Sequence, residues 1–143
     1  MRILGFSEKW PKLEKPIHTT FRFQRKDKDW EVGEIVQEVY RPRSKGREVL
    51  GTAVILNKEK RNMAFWNDTL GYPPSTEQEA KDDGFSDLLT MWHWLGKAHG
   101  FLRLVEEPMN KLTLSRIPPG ELKTEVWRQL NIREVKTLPF VLL

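Results

Sequence analysis

The chain has 143 residues, no cysteine, and 24 Lys and Arg against 20 Asp and Glu, a formal charge of +4. That length fits one domain, and a hydrophobic share of 38%, with six Trp and seven Phe, supplies a core. The composition excludes disulfides and cysteine-ligated zinc, holds no apolar run of the ~18 residues that a membrane span needs, and fits a cytoplasmic protein.

Residues 2–6 read as a first strand, too short and too soon polar for a signal peptide. Residues 8–15 are broken by Pro11 and Pro16, with Trp10 and Leu13 on one face of a single helical turn. Pro16 forces Lys15 toward an extended conformation and leads into a strand that ends at Phe23. Side chains alternate across a strand, so His18, Thr20 and Arg22 share one face and Ile17, Thr19, Phe21 and Phe23 the other. The second face is expected to anchor the core. The first is expected to present a base, a hydroxyl and a guanidinium side by side.

Residues 25–29 form a charged turn, and Gly33 suits a tight turn. In the strand at 34–40 neither face is cleanly apolar, as in a curved sheet or barrel. Residues 41–47 are a basic loop carrying Arg41, Arg43, Lys45 and Arg47 and no acidic residue. Residues 48–56 read as a strand in which Gly51 marks a bulge or a close backbone approach. Thr76 and Glu79 make a capping box for a short helix stopped by Gly84. Ser86 is expected to cap the next helix, with Leu88, Met91, Trp92 and Leu95 on its core face and Gly100 closing it. Trp94 lies off that face, either as a second contact to the sheet or as an exposed stacking ring.

Residues 111–117 read as a strand and 121–130 as a helix. Residues 135–143 read as a final apolar strand or tail, which Pro139 would make an edge. Strands outnumber helices and are joined by short loops. The fold class expected is α+β, a small β-barrel with helices packed around it.

Residues 22–61 hold eleven Lys and Arg against seven Asp and Glu. A positive excess gathered in one part of the chain points to an anionic partner, nucleic acid first. His93 and His99 are six apart, poor spacing for one helix face, and no metal or cofactor is expected. His18 is the candidate general base, since its ordinary pKa lies near working pH.

Several motifs occur in a familiar order: Thr19-Thr20-Phe21-Arg22, then Asp29-Trp30-Glu31-Val32-Gly33-Glu34, then Leu50-Gly51-Thr52-Ala53-Val54-Ile55. Asp83-Gly84-Phe85 and a helix ending in His99-Gly100 follow. In this order the chain resembles the ASCH domain family of the PUA-like superfamily over residues 1–117, with 118–143 as a C-terminal helix-strand extension packed on the same domain. The resemblance implies a PUA-like β-barrel with a cleft beside the Thr-x-Arg strand, and binding or processing of RNA. One related group removes acyl groups from acylated cytidine with a lysine, a threonine and a glutamate. Another member cleaves single-stranded RNA. Aligned on Arg22, the family pattern Gly-x-Lys-x-x-Glu-x-Arg sets its glutamate on Thr20, which matches a threonine-containing variant, its lysine on Ile17 and its glycine on Lys15. Lys15 is thus the nearest lysine, and a carboxylate is sought among Asp82, Asp83 and Asp87.

The expected function is RNA binding. Thr20 and Arg22 would floor the cleft, with Arg25, Lys26, Lys28, Arg41, Arg43, Lys45 and Arg47 on a phosphate-binding rim. Trp30 or Trp66 would stack on an unpaired base. The alternative is an RNA- or nucleoside-processing enzyme with His18, Thr20 and Lys15 as catalytic candidates. A third reading is an interaction module using the apolar end of the chain, 138–143.

Overall fold

The computed structural model describes residues 1–67 and 69–121. Its strands are β1 (Arg2–Phe6), β2 (Ile17–Phe23), β3 (Ile35–Tyr40), β4 (Glu48–Arg61) and β5 (Met109–Ile117). Its helices are α1 (Glu77–Asp82), α2 (Leu88–His99) and α3 (Phe101–Glu106). The helix and strand expected within 121–143 lie outside the described residues, apart from Glu121.

The architecture is α+β: one five-stranded sheet, in the order β1-β3-β4-β5-β2, curled into a half-barrel. β1 runs parallel to β3, and the other pairs are antiparallel. β4 is the long central strand, and its pairing slips at two places, between Glu38 and Val39 of β3 and between its own Ile55 and Asn57. Each irregularity bends the strand and adds twist, which is how so few strands curl far enough for side chains of the two edge strands to touch. The guanidinium of Arg22 on β2 lies 4.8 Å over the ring of Phe6 on β1.

Two apolar clusters follow from the alternation. Leu4, Phe6, Val36, Ile55, Leu112 and Leu114 fill the inside of the curl. Phe21, Met63, Met91, Trp92, Leu95 and Leu104 pack between the sheet and the helices. Gly51 meets both expectations for it. It stands opposite Glu38 at the irregularity, and a Cβ there would lie 2.8 Å from Cδ of Arg116.

Several details differ from those read off the sequence. β4 continues through 57–61 because those charged side chains find partners, Lys58 with Asp29 at 3.4 Å and Arg61 with Glu79 at 3.1 Å. α2 is capped by Asp87, whose Oδ1 accepts from the Thr90 N–H at 2.7 Å. Gly100, at φ +97, ends α2 and lets the chain re-enter a helix at once, α3. The Phe101 ring then seats on Gly96, leaving no room for a Cβ. The capping box of α1 forms as read, with Glu79 N–H on Thr76 Oγ1 and Thr76 N–H on Glu79 Oε1, both at 3.1 Å. Among the described residues, no helix is long and apolar enough to cross a membrane.

Candidate functional site

The seam between the edge strands β1 and β2 opens into a cleft of about 590 Å³. Because β2 is an edge, residues from both its faces reach this opening: Thr20 and Arg22 from the inner face, Phe21 and Phe23 from the helix side. One end is closed by the 3-10 turn Pro11–Glu14 and by α2. There Trp10 lies 5.3 Å from both Phe85 and Trp94, centroid to centroid. The other end is cationic, with Arg25, Arg43 and Arg103, and His99 lies beside them. Arg103 lies 3.9 Å over the Phe23 ring, and His99 meets the same ring edge-on at 5.2 Å.

At the floor, Arg22 Nε donates to Thr20 Oγ1 at 3.1 Å. Burial pushes the Arg22 guanidinium down to about 10, opposed by Asp83 and Glu38, so it keeps its charge at neutral pH. Beside it, Lys12 Nζ lies 2.9 Å from Asp83 Oδ1, which also accepts from Thr19 Oγ1 at 3.1 Å. Both members of the pair are buried. Burial pushes the Lys12 ammonium down and the Asp83 carboxyl up from their ordinary values, each against the attraction of the other. Asp83 gets its position as the C-cap of α1, just before Gly84 at φ +105. At the mouth, partial burial and then the positive charges of Arg103 and Arg22 lower His99, which leaves a neutral imidazole among arginines.

Of the residues singled out in the sequence, Thr20, Arg22, Arg25, Arg43 and, of the three candidate carboxylates, Asp83 line this cleft; Asp82 and Asp87 do not. His18 does not, and its expected place on a ligand-facing surface is corrected: its side chain is sealed inside the curl, Nε2 2.7 Å from Glu38 Oε2 and Nδ1 3.1 Å from the Lys15 carbonyl. The reason is that both faces of β2 are covered, one by the barrel interior and the other by the helices. Lys15 is exposed and lines a different cavity, with Gly51 and Arg116. Lys26, Lys28, Lys45 and Arg47 are exposed on flanking loops outside the cleft lining, and Arg41 lines a neighbouring cavity.

Of the two tryptophans expected to stack on a base, Trp30 lines the cleft but is buried, with Arg2 and Arg25 over its ring at 4.5 and 5.2 Å. Trp66 is 59% exposed and packs on Trp92, away from the cleft. The rings that do line the closed end, Trp10, Phe85 and Trp94, were not assigned there from the sequence, nor were Lys12, His99 and Arg103. The signal for part of this set was Trp94 standing off the core stripe of α2, since Trp94 and Ala98, like Leu95 and His99, are four apart and share a helix face. For Lys12 there was none, because lysine in a short turn is ordinarily exposed.

Among the described residues, no group of three His, Cys, Asp or Glu is arranged to hold a metal ion. None of the protein families, curated proteins or solved structures compared with the chain matches it.

Proposed function

We propose that the chain is an RNA-binding protein of the ASCH, PUA-like kind, whose cleft beside Thr20 and Arg22 takes an unpaired nucleotide of a single strand. The observation that carries this reading is the meeting of aromatic rings and arginines around one cavity of nucleotide size. A base slid against Trp10 or Trp94 gains about 1–3 kcal/mol from stacking. The forked guanidiniums of Arg25 and Arg103 at the open end suit phosphate oxygens. Arg22, held by Thr20 and desolvated, donates to the polar edge of the base. Lys26, Lys28, Lys45 and Arg47 on the flanking loops add a positive field that speeds encounter with a polyanion.

The test is the affinity for an unstructured RNA oligomer, measured by fluorescence anisotropy across a salt series. Binding is expected to weaken steeply with salt as phosphate contacts are lost, and Trp94→Ala is expected to cost about 1–3 kcal/mol. A salt slope near zero, or full affinity in both Trp94→Ala and Arg22→Ala, would sink this reading.

A second reading, hydrolysis of an acylated nucleoside, is favoured by one observation: Lys12, Thr20 and Asp83 line the same cleft. They are a lysine, a hydroxyl and a carboxylate, the kinds of group that the related acylcytidine deacylases use, with an aspartate here in place of the glutamate. Here the lysine comes from the turn before β2, while Ile17, at the aligned position, is exposed. A lysine whose pKa is lowered by burial is better suited to serve as a base or nucleophile near neutral pH. Release of the acyl group from an acylated cytidine, lost in Lys12→Met, is the expected result. No turnover by the wild-type chain rejects it.

A further inference from the structure

The cleft does not end at its cationic mouth. The loop after β3 forms a second cavity of about 580 Å³, where Arg41, Pro42, Arg43 and Ser44 face Phe6 and Ser7. The two cavities are contiguous, since Gly5, Phe6, Ser7 and Arg43 line both. Arg43 is the one charged residue common to the two linings.

The second cavity is built rather than incidental. The Arg41 N–H donates to the Phe6 carbonyl at 2.9 Å, tying the loop to the end of β1. The Arg41 carbonyl in turn accepts from the N–H and the hydroxyl of Ser44, at 3.1 and 3.2 Å. Arg41 itself is held at φ +43, a region that residues other than glycine seldom occupy. Pro42 is seated on Gly5, where a Cβ would come within 2.8 Å of the proline ring. Half-buried Pro42, seated on Gly5, thus lies between two arginines whose forked guanidiniums suit phosphate oxygens.

We propose that the two cavities are consecutive nucleotide subsites bridged by Arg43, so that the ligand is a strand of at least two nucleotides whose linking phosphodiester rests on that guanidinium. The inference rests on the reading of the cleft as a nucleotide site and adds the chain length and direction of exit of its ligand: past Ser7, along the basic loop.

The test is equilibrium binding of the full chain to a nucleoside monophosphate, a dinucleotide and a tetranucleotide of the same base, repeated for the four bases. For the preferred base the dinucleotide is expected to bind about tenfold tighter than the monophosphate, the worth of one charge-assisted phosphate contact on Arg43. Arg43→Ala, an exposed loop substitution, is expected to cost the dinucleotide about tenfold more than it costs the monophosphate. Measurable binding of the monophosphate with no gain for the dinucleotide would overturn the second subsite and leave the cleft reading standing. Equal losses for all ligands in Arg43→Ala would overturn the bridging role. Failure of every ligand to bind the wild-type chain would overturn both readings together.

Discussion

His18 Nε2 lies 2.7 Å from Glu38 Oε2, and neither side chain reaches solvent. The other carboxylate oxygen, Oε1, accepts from Arg116 Nε at 3.0 Å. Arg116 also donates to the carbonyls of Leu50 and Leu13, at 3.0 and 3.1 Å. One polar network therefore links β2, β3, β4, β5 and the turn before β2 through the interior of the half-barrel. With Nδ1 on the Lys15 carbonyl, both ring nitrogens of His18 are occupied, and neither is left to act on a ligand. His18→Ala should accordingly cost about 3–5 kcal/mol of stability, because it leaves a buried carboxylate with half its partners. Urea unfolding measures this. A cost below about 1 kcal/mol would mean that the network does not hold the barrel together.

That relationship also marks what the sequence could and could not tell. Period-two alternation correctly grouped His18, Thr20 and Arg22 on one face. It could not say whether that face was the outside of a sheet or the inside of a curl, because the answer depends on the irregularities at Glu38 and Ile55 that bend β3 and β4. Local chemistry was more legible. Thr76 and Glu79 announce their capping box, Gly51 its irregularity, and Gly84 and Gly100 their helix ends, since each is decided within a few residues. The cleft was legible through its Thr-x-Arg strand, through Arg25 and Arg43 on its rim and through Asp83 among three candidate carboxylates. Lys12, Asp83 and Trp10 come together through tertiary packing of a turn against a helix end, which no local pattern encodes.

The pair at the cleft floor makes a second prediction. Lys12 and Asp83 lie 2.9 Å apart and are both buried. Lys12→Met alone should destabilise by about 3–5 kcal/mol, because it strands a buried carboxylate. The double variant Lys12→Met, Asp83→Leu should recover much of that loss, since apolar residues of similar size replace a buried pair at little net cost. A double-mutant cycle in urea measures the coupling. Additive losses would show that the two side chains act independently.

Stability should also fall in acid through Glu79. Burial raises its carboxyl, but the hydrogen bond from Lys111 at 2.8 Å, the charges of Lys111 and Arg61 and the Thr76 N–H outweigh this, so the net shift is downward from 4.5. Glu34, bonded by Arg2 Nε at 2.6 Å, is lowered in the same balance of burial against partners. A carboxyl whose folded value is depressed contributes stability that is present above its unfolded value and is lost as pH falls through the folded one. Urea midpoints should therefore decline below about pH 4.5, and the decline should be shallower in Glu79→Gln. Parallel declines in the two proteins would remove Glu79 from the account.

The last prediction concerns Gly51, which touches the same network from β4. A Cβ at this position would lie 2.8 Å from Arg116 Cδ and 2.9 Å from Nη1, on a backbone at φ +154. Gly51→Ala must therefore push Arg116 aside and weaken its bonds to Glu38, Leu50 and Leu13. Overpacking of this kind costs about 1–3 kcal/mol. Gly46 is the internal control, since a Cβ there meets only Ser44 Oγ at 3.7 Å, and Gly46→Ala should stay within about 0.5 kcal/mol of the wild type. Because Gly51→Ala and His18→Ala both act through the partners of Glu38, their combined cost should fall short of the sum by about 0.5 kcal/mol or more, as coupled neighbours do. Strict additivity would mean that Arg116 and His18 hold Glu38 independently, and the barrel interior would then contain two separate polar contacts instead of one network.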